Sequence, residues 1–95
     1  MVAQLHLIWN PVAGNGAAKD AYQLVTDALA ERGIPFSAEK SEYAGHATEL
    51  AKEAVQNGAK KIVVLGGDGT IREVASALMN TDTVLGIISC GTGND

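Results

Sequence analysis

The sequence predicts an α/β fold in which an open, mostly parallel β-sheet lies between two layers of helices, giving three layers in all. Four short apolar runs alternate with three segments of helical periodicity, and this order is typical of right-handed β-α-β crossovers. The third run, residues 61–65, is aliphatic without alternation, as a parallel strand buried on both faces requires. The 95 residues have ordinary globular composition, 46% hydrophobic and 19% charged, so we assign residues 1–95 to one small domain.

The first strand is predicted at residues 4–9. It ends at Trp9 or Asn10, because Pro11 lacks a backbone donor and keeps the preceding residue out of helical geometry. A helix follows Gly16 and ends near Gly33, which fits the C′ position. The apolar residues of this helix recur at helical spacing; they are Ala18, Ala21, Tyr22, Val25, Ala28 and Leu29.

The second strand and second helix follow in the same order. Residues 35–40 form a less apolar strand, which we expect nearer an edge of the sheet. After a loop at residues 41–45, an apolar stripe predicts a helix that stops at Asn57 and Gly58. The stripe consists of Ala47, Leu50, Ala51, Ala54 and Val55.

The third strand breaks at Gly66 and Gly67, and a third helix is predicted to start at Thr70. Its start has the pattern of a capping box, in which Thr70 and Glu73 satisfy each other's backbone amides. The buried face of this helix is predicted to contain Ile71, Val74, Ala75 and Leu78.

The fourth strand is predicted at residues 84–89, after a turn at residues 80–83, and a glycine-rich segment closes the sequence. Cys90 is expected to be a small buried residue at the end of this strand. Three helices cannot cover both faces of four parallel strands, so part of one face should lack cover. We therefore expect a domain truncated after its fourth strand, taken from a longer protein.

Charge, apolar run length and cysteine count exclude several classes of function. The formal net charge is −4 and no basic block is longer than two residues, which argues against a nucleic-acid partner. The apolar runs are far shorter than a membrane span, and no signal peptide is evident. A single cysteine agrees with a reducing compartment. The expected location is therefore cytoplasmic.

Glycine-bearing loops follow three of the four strands, at residues 14–16, 66–70 and 91–94. Parallel strands place these loops at one edge of the sheet, where glycine allows close backbone approach and helix N-termini attract anions. The three loops together predict a phosphate site, although each alone also fits a tight strand-to-helix turn. Neither the Walker pattern nor the dinucleotide-binding pattern matches these loops.

Asp68 lies in the middle of the second glycine loop. A carboxylate facing phosphates would repel them unless a metal ion, a water molecule or a transferable proton intervened. Asp68 is therefore predicted to have a functional role. The structural alternative is that its side chain forms hydrogen bonds to the amides of the loop.

The motifs in their order resemble the catalytic domain of diacylglycerol kinases and sphingosine kinases. The resemblance rests on Asn10-Pro11 after the first strand, residues 66–74 with the sequence GGDGTIREV, and residues 91–95 with the sequence GTGND. It covers nearly the whole chain and implies a Rossmann-like, phosphofructokinase-like arrangement of β-α-β units. More distant similarity extends to NAD kinases and phosphofructokinases, which share the Gly-Gly-Asp-Gly loop.

The resemblance implies an ATP-dependent lipid kinase of which this chain is the nucleotide-binding half. ATP and Mg²⁺ would be the cofactors, and a C-terminal domain absent from this chain would supply the lipid cleft, the metal ligands and the general base. Asp68 would be the catalytic residue in this half. The residues carried over as nucleotide contacts are Asn10, Pro11, Gly14, Ser41, Gly66, Gly67, Asp68, Gly69, Thr70, Gly91, Thr92 and Asn94.

Two alternatives remain open. The chain belongs to an NAD kinase or phosphofructokinase relative, or it is a non-enzymatic α/β module that self-associates as a homo-oligomer through an uncovered sheet face or edge strand. The lipid kinase interpretation predicts no activity for this chain alone. His6 is expected to be a packed core residue, and His46 to have a positional role.

Overall fold

The structure, a computed structural model, describes residues 3–90. These residues form four strands and three α-helices in strict alternation, with a single 3-10 turn, Ala13–Gly16, between the first strand and the first helix. The elements are β1 (Leu5–Trp9), α1 (Ala17–Glu31), β2 (Ser37–Lys40), α2 (His46–Gln56), β3 (Lys61–Gly66), α3 (Asp68–Ala77) and β4 (Val84–Ser89).

All neighbouring strands are parallel, and their order in the sheet is β2-β1-β3-β4. This confirms the predicted α/β class with an open parallel sheet. The short polar strand β2 is at an edge, as predicted, and the aliphatic strand β3 is central, between β1 and β4.

The helices cover the two faces of the sheet unequally. Helices α2 and α3 pack over Ile8, Ile62 and Val64, while α1 packs over Leu7 and Leu65 on the opposite face. Only Ala18 of α1 is fully buried, and Ala28, which is predicted to lie on the apolar face of this helix, is exposed. The α1 layer is therefore the thinner one.

Strand β4 is the least covered part of the sheet. Val84 is 56% exposed and Ile87 is 54% exposed, and the two side chains point to opposite faces because successive residues of a strand alternate. The following residue, Cys90, is buried as predicted. Incomplete cover, expected from the number of helices, is thus located at this edge.

The start of α3 corrects the predicted capping box. The helix begins at Asp68 rather than at Thr70, and no side chain caps it. Gly67 has extended backbone geometry and leads straight from β3 into the helix, so Thr70 is already inside the first turn. Thr70 and Glu73 both bond to other elements of the fold instead of to each other.

Candidate functional site

The sheet topology creates a crevice at the carboxyl ends of the strands. Helix α1 leaves β1 toward one face of the sheet, while α2 and α3 cover the other face. The loops that follow the neighbouring strands β1 and β3 therefore diverge, and ligands of open α/β sheets bind at such a point.

A cleft of about 540 Å³ occupies this position. Its walls come from the segment after β1, from the end of β2 with the loop that follows it, and from the first turns of α3. The lining residues are Asn10, Pro11, Val12, Lys40, Ser41, Glu42, Tyr43, Ala44, Gly69, Thr70 and Glu73.

Asn10 connects β1 to β3 and α3 at the base of the cleft. Its backbone N–H donates to the carbonyl of Leu65 over 3.0 Å, and its side-chain Nδ2 donates to Thr70 Oγ1 over 3.3 Å. Its Oδ1 accepts from the N–H of Val12 at 3.2 Å. The side chain is thus held at both ends.

Two buried residues that line the cleft, Ser41 and Thr70, carry hydroxyl groups. Thr70 Oγ1 accepts from Asn10, so its own hydrogen is available for another acceptor. The Ser41 hydroxyl has no hydrogen-bond partner within residues 3–90, although its backbone N–H donates to the Trp9 carbonyl over 2.8 Å. Both groups can donate to a ligand rich in acceptor oxygens.

Lys40 supplies positive charge to this wall. It is the last residue of β2 and the one lysine or arginine that lines the cleft within the described range. Arg72, on α3, is exposed and outside the lining. An ammonium group and two hydroxyl donors in one cleft provide a suitable environment for phosphate oxygens.

Glu73 fixes the loop between β2 and α2 to helix α3. Its Oε2 accepts from the N–H of Gly45 at 3.1 Å, and its backbone carbonyl accepts from the hydroxyls of Thr48 and Ser76 at 3.0 Å each. The capping-box hypothesis missed this role, because the partner of the carboxylate is 28 residues away in sequence.

Tyr43 and His46 form an aromatic pair at the same loop. Their ring centroids are 4.3 Å apart and their planes differ by 11°. Tyr43 Oη donates to Glu49 over 3.2 Å, and loss of hydration together with this bond raises the pKa of Tyr43 above its usual value. His46 Nδ1 accepts from the N–H of Glu42 at 2.9 Å, which agrees with the positional role predicted for it.

The glycine loop after β1 closely approaches the end of β4. Gly14 has a φ of 64°, and a Cβ built on it would lie 2.0 Å from the carbonyl oxygen of Cys90. The Cys90 N–H in turn donates to the Gly66 carbonyl over 2.8 Å. The ends of β1, β3 and β4 therefore lie close together, and here only glycine allows the loop after β1 to approach β4. The third predicted glycine loop, residues 91–94, lies outside the described residues.

Asp68 lies at the N-terminus of α3, exposed to solvent. There the helix dipole favours a negative charge. Its carboxylate makes no hydrogen bond or ion pair with residues 3–90, and the same range contains no group of three or more metal-ligating side chains. A Mg²⁺ ion bound to nucleotide phosphates needs only one or two protein carboxylates. The single carboxylate of Asp68 fits this requirement, whereas it does not fit a metal site whose ligands all come from the protein.

A separate polar chain lies on β1 and β2. The buried ring of His6 contacts Ser37 Oγ through Nδ1 at 2.6 Å and Glu39 Oε1 through Nε2 at 3.0 Å. The Glu39 carboxylate can only accept, so the hydrogen of the neutral ring is on Nε2, and Nδ1 accepts from the Ser37 hydroxyl. The N–H of Ala3 donates to the same Ser37 oxygen. Burial lowers the pKa of His6, and Glu39 opposes this in part. His6 is packed, as predicted, but it is also hydrogen-bonded.

The structure brings together five of the predicted site residues, which line the cleft: Asn10, Pro11, Ser41, Gly69 and Thr70. Four others stand at the neighbouring loop and helix start without lining it: Gly14, Gly66, Gly67 and Asp68. Gly91, Thr92 and Asn94 lie outside the described residues. The sequence reasoning missed Lys40, Tyr43 and Glu73; the strand-end rule could have found Lys40.

Comparison with known proteins gives concordant matches. The sequence profile described as "Diacylglycerol kinase catalytic domain" matches residues 4–95. The diacylglycerol kinase of Mycobacterium tuberculosis (strain CDC 1551 / Oshkosh) is 35% identical over 94 residues, which are 99% of this chain and 30% of the relative. That of Bacillus subtilis (strain 168) is 37% identical over 91 residues, 94% of this chain and 30% of the relative.

A solved structure of a diacylglycerol kinase from Bacillus anthracis str. Sterne superposes with a TM-score of 0.77 at 32% identity. The match covers 96% of this chain and 32% of that one. This chain thus spans about a third of the length of the proteins that it matches. Among the residues that the structure describes, no helix is both long and apolar enough to cross a bilayer.

Proposed function

The chain belongs to the diacylglycerol kinase catalytic domain family, and from this premise we propose that it forms the ATP-binding part of a lipid kinase. The complete enzyme would transfer the γ-phosphoryl group of MgATP to the hydroxyl of a diacylglycerol-like lipid. The lipid site and the general base would belong to the remaining two thirds of such an enzyme, so this chain alone should be inactive.

The observation that supports ATP binding most directly is the composition of the cleft. Lys40, Ser41 and Thr70 line the same cleft at the carboxyl ends of parallel strands, beside the first turn of α3. A nucleotide offers acceptor oxygens and negative charge to these donors. Phosphoryl transfer depends mainly on positioning and charge neutralisation, which a rigid wall of this kind would supply.

The roles of the other residues follow from their positions. Asn10 would donate its remaining side-chain hydrogen to the nucleotide, and the backbone from Gly66 to Gly69 would follow the phosphates. Asp68 would hold Mg²⁺ directly or through water. The ion, when bound, would neutralise charge on the phosphate oxygens.

An NMR titration of the chain with MgATP tests nucleotide binding. We expect chemical shift changes at the amides of Asn10, Ser41, Gly69 and Thr70, and smaller ones elsewhere. Lys40→Ala should weaken binding, whereas Lys60→Ala should not, because Lys60 precedes β3 at the opposite end of the sheet. Equal weakening by both variants, or shifts scattered over the α1 face, would contradict a site in this cleft.

The acceptor is tested with the longer protein that contains this chain. Diacylglycerol, NAD and a sugar phosphate are offered separately with MgATP, and the phosphorylated product is identified by mass spectrometry. Transfer to the lipid supports the proposal. Transfer to NAD or the sugar phosphate would favour the NAD kinase or phosphofructokinase alternative.

Self-association is a second candidate function, favoured by the exposed Val84 and Ile87 on the edge strand β4. Exposed apolar edge strands are sites where sheets pair with another chain. Static light scattering of the wild type and of Ile87→Lys tests it: an oligomer that becomes monomeric in the variant supports this function, and a monomeric wild type excludes it.

A further inference from the structure

Tyr43 is the one aromatic side chain in the exposed class among the described residues, and it lines the cleft. It is 58% exposed. By contrast, Trp9 of β1 and Tyr22 of α1 stack on each other with ring centroids 4.2 Å apart, and Phe36 packs in the same cluster. A large exposed ring at the wall of a polar cleft is not explained by the core of this domain.

Two contacts hold the side chain of Tyr43, and a third holds its backbone. His46 covers one face at 4.3 Å, the Tyr43 hydroxyl is engaged by Glu49, and the Tyr43 carbonyl accepts from the His46 N–H at 3.0 Å. The supporting ring of His46 is itself fixed by the N–H of Glu42. One face of Tyr43 is therefore covered and its hydroxyl is engaged, which leaves the other face to contact a ligand.

We propose that this free face of Tyr43 is the stacking platform for the base of the bound nucleotide. The inference rests on the proposed ATP-binding function and adds a residue that selects for a planar heteroaromatic ring. Aromatic side chains bind bases through their π faces with little preference among bases. Because the ring is already ordered, stacking on it loses little side-chain entropy.

Such an arrangement divides recognition between two parts of the cleft. Lys40 and the hydroxyls of Ser41 and Thr70 would bind the phosphates, and Tyr43 would bind the base. A ligand with phosphates but no base should therefore lose the Tyr43 contribution and keep the rest. This difference separates the inference from ATP binding in general.

Isothermal titration calorimetry of the full 95-residue chain tests base stacking on Tyr43. The affinities for MgATP and for magnesium tripolyphosphate are measured separately. We expect the wild type to bind MgATP about tenfold more tightly than tripolyphosphate, the usual scale of base stacking. Tyr43→Leu should remove about that factor for MgATP and leave tripolyphosphate binding unchanged. Tyr43→Phe keeps the ring but loses the bond to Glu49, so its loss should be under about threefold.

Leu24→Ala is the matched control, because Leu24 is an exposed apolar residue on α1, outside the cleft lining; it should bind both ligands like the wild type. Circular dichroism checks that each variant is folded. A direct signature of stacking is an upfield shift of the adenine H2 and H8 protons that is lost in Tyr43→Leu.

The inference would be wrong if Tyr43→Leu bound MgATP like the wild type, or if it lost both ligands equally, since the second result would mean a collapsed loop. In either case the wild type still binds MgATP, so the proposed function survives. A wild type that binds neither ligand would overturn both proposals.

Discussion

Gly14→Ala is a substitution whose cost can be worked out from the structure, because a nearly identical glycine serves as its control. Gly14 has a φ of 64° and Gly33 a φ of 66°, so alanine is equally strained at either position. A Cβ at residue 33 would meet nothing within 4 Å, whereas at residue 14 it would lie 2.0 Å from the carbonyl oxygen of Cys90.

The expected cost has two parts. Left-handed geometry costs an L-residue about 1 to 2 kcal/mol, and both variants incur this cost. At Gly14 the new Cβ falls well short of the ordinary contact distance of 3.4 Å from a backbone atom, so the loop or the end of β4 must move. Overpacking of this kind costs about 1 to 3 kcal/mol more. We expect Gly14→Ala to destabilise the protein by about 2 to 5 kcal/mol and Gly33→Ala by about 1 to 2 kcal/mol.

Urea unfolding monitored by fluorescence measures both values. The chain has a single tryptophan, Trp9, which is half-buried against Tyr22 and should report loss of the core. Linear extrapolation gives the free energies of unfolding. If Gly14→Ala were no less stable than Gly33→Ala, the close approach of the loop to β4 would be refuted.

Other predictions concern three titratable side chains. Because the pKa of His6 is lowered in the folded protein, the unfolded chain takes up the proton first, and stability should fall as the pH drops below about 6.5; unfolding midpoints from pH 7.5 to 5.5 should fall less in His6→Gln. Glu73→Ala leaves the half-buried N–H of Gly45 without its acceptor and should cost about 1 to 3 kcal/mol. Glu73→Gln keeps an acceptor oxygen, so its unfolding midpoint should lie between those of Glu73→Ala and the wild type. In a full-length enzyme of the proposed kind that includes this chain, Asp68→Asn should abolish turnover and leave the unfolding midpoint unchanged. Full activity of the variant would contradict a role for Asp68 in the reaction.

Local patterns were sufficient to predict most of the fold. The unbroken aliphatic run around Ile62 and Val64 indicated a strand covered on both faces, and the polar character of Glu39 and Lys40 indicated an edge. Both inferences depend only on burial, and the polarity of the side chains in a strand indicates how much of the strand is buried. The proximity of the loops after β1 and β3 to the end of β4 followed from parallel topology, since all the carboxyl ends are at one edge.

The sequence could not show which distant partner each polar side chain would find. Thr70 and Glu73 have the spacing of a capping box, but their partners in the fold, Asn10 and Gly45, are 60 and 28 residues away. Tyr43 gave no periodic signal because it is in a loop, and its orientation depends on His46 and Glu49. Local spacing therefore predicted the elements better than the side-chain chemistry of the site.

The bond between Asn10 and Thr70 has a consequence for the order of folding. It closes a loop of 60 residues, and the base of the cleft exists only after β1 and β3 have paired. Contacts between such distant segments form late and make folding slow. A chain emerging from the ribosome therefore has no cleft until α3 has been synthesised. A nucleotide bound there as proposed would stabilise the finished domain by slowing its unfolding rather than by guiding its assembly.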